Sequence, residues 1–235
     1  VRAITPGRWT DPTPCTEWDL RALVDHLVYE TLWVPDLVEG ATLAQVGSRY
    51  EGDRLGDDPI GAWGAAKAAA ADGVRSSGLD VAVHTSGGEL TADEYLTQML
   101  FDASIHGWDV AQSIGVEHTI PDDVAQDLHA WFAPRAAGWV EAGILAPPVE
   151  VPGNADPTTH LIALSGRNPA VLSRASPTRC GHWSCIDRMP RLTLGSRKWI
   201  GFNCAWQSVM CRNDTLPKGA MSYSPRWAVA ASASA

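Results

Sequence analysis

The sequence has no run of eighteen or more apolar residues, which excludes a transmembrane helix. Val1 to Trp9 carry no apolar stretch of the kind that opens a secreted precursor, so a cytoplasmic protein is expected. An initiator Met is absent, and a fragment of a longer chain is the expectation. Basic charge is scarce through most of the length. Residues 1–169 hold 9 Lys+Arg against 25 Asp+Glu, a balance of −16. So acidic a body repels phosphate backbones, which argues against nucleic acid as a partner. Cysteine is equally scarce there, with Cys15 alone before residue 170.

The last 66 residues reverse both trends. They hold 9 Lys+Arg and 2 Asp+Glu, a balance of +7, which with −16 gives the −9 of the whole chain. Cys180, Cys185, Cys204 and Cys211 all lie there, with His182 between the first two. The gaps are four, eighteen and six residues. Paired zinc ligands are usually two to four residues apart, so the second pair fits poorly. Disulfides are not expected in a cytoplasmic chain. The segment has no sustained period of three to four or of two, and the break in composition suggests a boundary near residue 169. The expectation is a helical domain over 1–169 and an irregular, basic, Cys- and Trp-rich tail over 170–235.

A 235-residue chain that is 45% hydrophobic can build a core. Pro12 and Pro14 make Asp11–Trp18 a loop, and Asp19 can cap a helix that starts at Leu20. Leu20, Leu23, Val24, Leu27 and Val28 then recur at helical spacing, and Pro35 is expected to end or kink that helix. Residues 40–58 read as loop with a short helical piece at most, and Pro59 to Gly73 as a second, Ala-rich helix. Val81–Leu90 reads as a connecting loop with at most a short extended stretch. Thr91 and Glu94 form a capping-box pair for a third helix, with an apolar stripe of Leu96, Met99, Leu100, Ala103, Val110 and Ile114 and an end at Gly115. Pro121, Asp122 and Asp123 suit the start of a fourth helix, which would run to about Gly143. Pro147–Pro157 is loop, and Thr159–Ser165 a short helical segment. No internal repeat occurs. The pattern is an all-α helix bundle, and a plain bundle with no site would show the same periodicity.

Asp102 and His106 are four apart on the third helix, so they share one face and can share one ion. Both sit at the margin of the apolar stripe and would face the seam between helices. His26 holds a similar place on the first helix and could supply a third ligand from across the bundle. The spacing by itself is weak. Asp80/His84 and Asp156/His160 repeat it, the first in an extended-looking stretch, the second across Pro157. The plainer reading of Asp102 and His106 is a helix-edge ion pair. Asp25 and Asp109 flank the ligands and could orient an imidazole, although a solvated carboxylate is the commoner role. Trp18 and Trp108 could line a pocket, although core packing is commoner. Cys15 is read as a buried small residue rather than a reactive thiol. His84, His118, His129 and His160 are assigned to ordinary positions.

Thr13-Pro14-Cys15-Thr16-Glu17-Trp18, leading into the helix that reaches His26-Leu27, resembles an N-terminal motif of one family. That family is the metal-binding domain of mycothiol-dependent maleylpyruvate isomerase and its relatives, in the DinB-like four-helix superfamily. Phe101-Asp102-Ala103-Ser104-Ile105-His106-Gly107-Trp108-Asp109 resembles the family's acid-x-x-x-His-Gly-Trp-Asp helix, and Gly166-Arg167-Asn168-Pro169 is a weaker echo of a motif near the end of many members. The resemblance spans about residues 5–169. It implies a DinB-like four-helix bundle with His26, Asp102 and His106 as metal ligands. Zn²⁺ suits this set best, with Ni²⁺ and Fe²⁺ as alternatives, and an open position remains.

The resemblance further implies a low-molecular-weight thiol, mycothiol, as cosubstrate and an electrophile as its partner, in isomerisation or S-transfer. The competing expectation is a metal-binding module of structural or regulatory role without catalysis, and no catalytic residue is assigned. Two features depart from the family. Glu17 stands where many relatives have Gly. The long first helix is largely missing, with Val1–Ile4 its remnant, which is expected to expose core surface. Nothing in the tail resembles the isomerase's second domain, and the tail is expected to be foreign to the family.

Overall fold

The computed structural model describes residues 1–16, 18–118 and 120–170. The expected tail, with its cysteines and the weak zinc pattern, lies outside the described residues apart from Ala170. After a 3₁₀ turn at Pro6–Arg8, the helices are α1 (Leu20–Val38), α2 (Leu43–Val46), α3 (Pro59–Ser76), α4 (Ala92–Ile114), α5 (Asp122–Phe132), α6 (Ala136–Glu141) and α7 (Pro157–Leu164). A hairpin of β1 (Ala82–Thr85) and β2 (Gly88–Thr91) lies between α3 and α4. The described chain is therefore mainly helical, with one small sheet.

Each end of α1 has a local cause. Asp19 accepts a hydrogen bond from the Ala22 N–H at 2.8 Å and caps the start. Of the two expected outcomes at Pro35, an end to the helix is not what is found: α1 continues to Val38. One N–H is lost there, but the residues after it are worth keeping helical, because Leu37 and Val38 are buried with Val34, Val83 and Tyr95. Pro35 also lies against Gly73 of α3, where a Cβ would sit 3.0 Å from the Pro35 Cα. That close approach lets α1 and α3 pack along their lengths.

The Val81–Leu90 reading also needs correction. Ala82 pairs with Thr91 and Thr85 with Gly88 in an antiparallel ladder. The strands have four residues each, too short for alternation to announce them. The ladder is anchored by Val83, which is fully buried. The hairpin then feeds α4. Thr91 caps it by accepting from the Glu94 N–H. The reciprocal half of the capping box does not form, because the Glu94 carboxylate accepts from Trp131 Nε1 and Arg135 instead. Gly115, at φ +68°, ends the helix in the left-handed conformation.

The expected fourth helix is two helices. α5 ends at Phe132 and α6 begins at Ala136. Pro134 lies between them and has no N–H to continue the ladder.

α4 is buried on more than the expected stripe. Phe101, Ile105 and Trp108 enter a core with Leu128, Phe132 and Trp139 of α5 and α6 and with Leu161 and Ile162 of α7. Val110 and Ile114 enter a second core with Leu20, Leu23, Val24 and Leu27 of α1. The N-terminal arm covers that second core: Ile4 is buried in it, and Val1 and Trp9 pack against it. Arg8 donates to the Ile114 and Ser113 carbonyls at 2.8 and 2.7 Å, tying the arm to the end of α4. Among the described residues the exposed large apolar side chains are Ile60 and Val116, so the expected exposed core face is not found. None of the described helices is long and apolar enough to cross a membrane.

Candidate metal centre

The polar residues of α4 lie where its two cores meet. Asp102 and His106 are one turn apart, and His26 reaches them from α1. The Asp102 Oδ1 is 3.4 Å from His26 Nε2 and 3.5 Å from His106 Nε2. These three residues place a ligand atom each within 4.8 Å of one another. Strong charge-assisted hydrogen bonds run about 2.7–2.9 Å, so the two contacts are long for ion pairing. They match the edge of a tetrahedron around a zinc-sized ion, roughly 3.4 Å for bonds near 2.05 Å. The set is enclosed: His26 is 1% exposed, and its ring lies 4.8 Å from that of Trp18 and 5.0 Å from that of His106.

Burial opposes charge on both partners, and their mutual attraction overrides it. Burial pushes His26 down, but the Asp102 charge and hydrogen bond leave it above its usual 6.5. Burial pushes Asp102 up, but His26 and His106 hold it below the usual 3.8. Asp102 is thus a carboxylate between two imidazoles.

A second cluster backs the first. The His106 Nδ1 is 2.9 Å from Asp109 Oδ2. Asp109 is fully buried, not solvated as its commoner role would have it. Its burial is opposed mainly by the Arg167 guanidinium, which with His106 holds the carboxyl far below the usual range. Arg167 donates from Nη2 to Asp109 Oδ2 at 2.9 Å and from Nε to Oδ1 at 3.3 Å. The Cys15 thiol donates to Asp109 Oδ2 at 3.3 Å. Cys15, His106 and Asp109 also have metal-ligand spacing. Arg167 is already the cation there, 3.5 Å from the Cys15 Sγ, so a second positive ion would meet a fixed guanidinium. The cluster suits orienting His106 rather than holding an ion.

The loop before α1 brings Cys15 and Trp18 into place. The Thr13 hydroxyl oxygen lies 2.8 Å from the Trp18 carbonyl oxygen and accepts from the Cys15 N–H at 3.1 Å. Leu20 N–H donates to the Asp11 carbonyl at 3.0 Å and closes the loop. Asp25, the other candidate for orienting an imidazole, is ion-paired to Arg54 instead.

Residues 1–111 match the family model of the mycothiol maleylpyruvate isomerase N-terminal domain. The match supports the family resemblance of those residues. No curated protein and no solved structure matches the chain. The matched isomerase-family stretch contains His26, Asp102, His106 and Asp109, whereas Arg167 lies beyond it.

Trp108, a pocket candidate, is in the core beside Phe132 and Trp139. His129 and His160 face one another at 6.3 Å on α5 and α7, His84 is on β1 near Glu89, and His118 lies against Gly107. None of them approaches the centre closely enough to join it. Two neighbours escaped the sequence reading. Glu30 is one turn beyond His26, and burial with the Asp102 charge drives its carboxyl up to about 7 against the pull of His26 and Arg54. Gln98 is one turn before Asp102 and is buried, with no hydrogen-bond partner for its Nε2. The spacing of four on each helix was the available signal.

Proposed function

We propose that this chain binds one divalent metal ion through His26, Asp102 and His106 and offers it to a low-molecular-weight thiol, on a DinB-like helical frame. The observation that carries the reading is the convergence of two buried imidazole Nε2 atoms on one carboxylate oxygen at 3.4 and 3.5 Å. Two nitrogens and one oxygen suit Zn²⁺, with Ni²⁺ and Fe²⁺ also compatible, and leave room for an exchangeable ligand. Bound there, such an ion would lower the pKa of a thiol and make a nucleophile available at neutral pH.

The side chains supply the rest. Asp102 carries the negative charge that draws a cation in. Asp109 accepts at His106 Nδ1, which directs the Nε2 lone pair toward Asp102. Trp18 lies against both imidazoles, at 4.8 Å from His26 and 5.8 Å from His106, and restricts water on that side. Glu30, with its carboxyl near 7, can take up or release a proton beside the centre. The match of residues 1–111 to that family model favours mycothiol as the thiol, and isomerisation or S-transfer as the reaction.

The test is the metal content of purified protein, wild type beside His26→Ala and His106→Ala. About one equivalent is expected in the wild type, from a single open ligand set. Both variants should lose it while keeping their helix signal. A folded wild type that stays empty when Zn²⁺ is added overturns the metal reading. Zinc-loaded protein that leaves mycothiol unconsumed, with maleylpyruvate and other electrophiles offered, removes the catalytic part and leaves a metal-binding module.

A further inference from the structure

Arg167 lies beyond the family-matched residues, three residues after α7 and 58 positions from Asp109 in the chain. No ligand role falls to it, yet it is 6% exposed and carries a full charge. A buried guanidinium is costly unless its partner is well made. Here both carboxylate oxygens of Asp109 accept from it, and a third donor hydrogen goes from Nη1 to the Ser165 carbonyl at 3.1 Å. Its position depends on the turn before it. Gly166 has φ +82° and passes so close to the Ala146 carbonyl that a side chain would collide with that backbone. The Arg167 N–H is bonded to the Ile162 carbonyl. The backbone therefore delivers the guanidinium to one place.

The group that stands there decides how His106 is held. The Asp109 Oδ2 lies 2.9 Å from His106 Nδ1, and the two hydrogen bonds from Arg167 fix where that carboxylate points. Released from those two bonds, the carboxylate can turn away and leave Nδ1 without its acceptor, so that the tautomer with its hydrogen on Nε2, and no lone pair there, competes. We propose that Arg167 is a positioning residue: it keeps Asp109 a fixed acceptor and so keeps His106 in the Nδ1–H tautomer, with Nε2 directed at Asp102. The segment after α7 thereby becomes part of the centre without touching it. This rests on the metal reading for its consequence, and on His106 alone for its direct effect.

The test uses the full chain with Arg167→Met and Arg167→Lys, and has two readouts. The first is the imidazole ¹⁵N spectrum of His106 without metal, at a pH where the wild-type ring is neutral. Wild type should show the Nδ1–H form, Arg167→Met a mixture or the Nε2–H form, and Arg167→Lys an intermediate. The second is Zn²⁺ affinity by chelator competition. Arg167→Met should weaken it by roughly 10–100-fold, the range for partners that orient metal-bound His. In an Asp109→Asn background the same change should cost less than about threefold, because the two residues act in series.

An unchanged His106 tautomer in Arg167→Met overturns the proposal, as does full additivity with Asp109→Asn. Loss of the helix signal in both Arg167 variants also overturns it, since Arg167 would then hold the fold rather than His106. A wild type that binds no Zn²⁺ defeats the metal reading separately, and the ¹⁵N spectrum still decides the role of Arg167.

Discussion

Asp102 and a protonated His26 attract one another in one buried place, so each titrates away from its usual value. Those shifts set the sign of the pH dependence. His26 lies above 6.5 when folded, so its protonated form contributes stability to the metal-free protein in full below about 6.5. That contribution is lost as pH rises through the folded value. Zn²⁺ requires the neutral imidazole, so its affinity should fall as pH drops through the same range. Competition titrations across the neutral range check this, and a flat profile would show that His26 is not a ligand. Glu30 is the clearer case for stability. Its carboxyl is raised from 4.5 to about 7, so its protonated form favours folding below about 4.5 and the benefit disappears as pH rises through 7. Glu30→Gln should therefore raise the Tm of the metal-free protein at pH 8 and change it little at pH 4. Thermal melts at the two values distinguish this from a uniform packing effect.

Among the elements, the turn after α7 is the most exacting. Gly166 is strained for any other residue by its φ of +82°, and the Ala146 carbonyl leaves no space for a Cβ. Gly166→Ala should destabilise the chain by about 1–3 kcal/mol, through the left-handed backbone and the clash together. It should also weaken Zn²⁺ binding, because Arg167 is the next residue. Denaturant unfolding and metal competition on one preparation test both effects, and a loss of stability with unchanged affinity would separate the turn from the centre. The other turns are more local in origin. Asp19, Asp58 and Asp156 each accept from a backbone N–H three residues on, and so start α1, α3 and α7. Such caps are readable from residue type and spacing, whereas Pro35 shows that a breaker can be outweighed by the burial of the residues beyond it.

For the whole chain, the division near residue 169 is a proposal with its own check. Among the described residues, the cores are complete by α7, and the polar cluster is complete at Arg167. A chain cut after Ala170 should keep its helix signal and its Zn²⁺ affinity. Its melting temperature should rise with added Zn²⁺ by mass action, by about 2.7 kcal/mol of stabilisation at one hundred times Kd. Loss of cooperative melting on truncation would mean that the boundary is misplaced. The same scale explains why α4 misled a one-stripe reading. A helix shared by two cores buries residues around most of its circumference, and its amphipathic pattern is blurred.

The sequence by itself determined the long helices and their caps, because these depend on local spacing and on side chains that recur at 3.6 residues. Asp102 and His106 were legible as a pair on one helix face and His26 as a similar position on another helix, but it was the family resemblance, not the spacing, that singled out these three. Tertiary structure decided the rest. It brought His26 Nε2 to the same oxygen as His106 Nε2, a matter of how α1 and α4 pack. It paired the short strands 82–85 and 88–91, whose stability comes from a ladder rather than from either strand. It also set Arg167 and Cys15 beside Asp109, from positions 152 residues apart in the chain. Contacts between segments so distant leave no periodic trace, because the free energy that selects them is released only once the cores have closed.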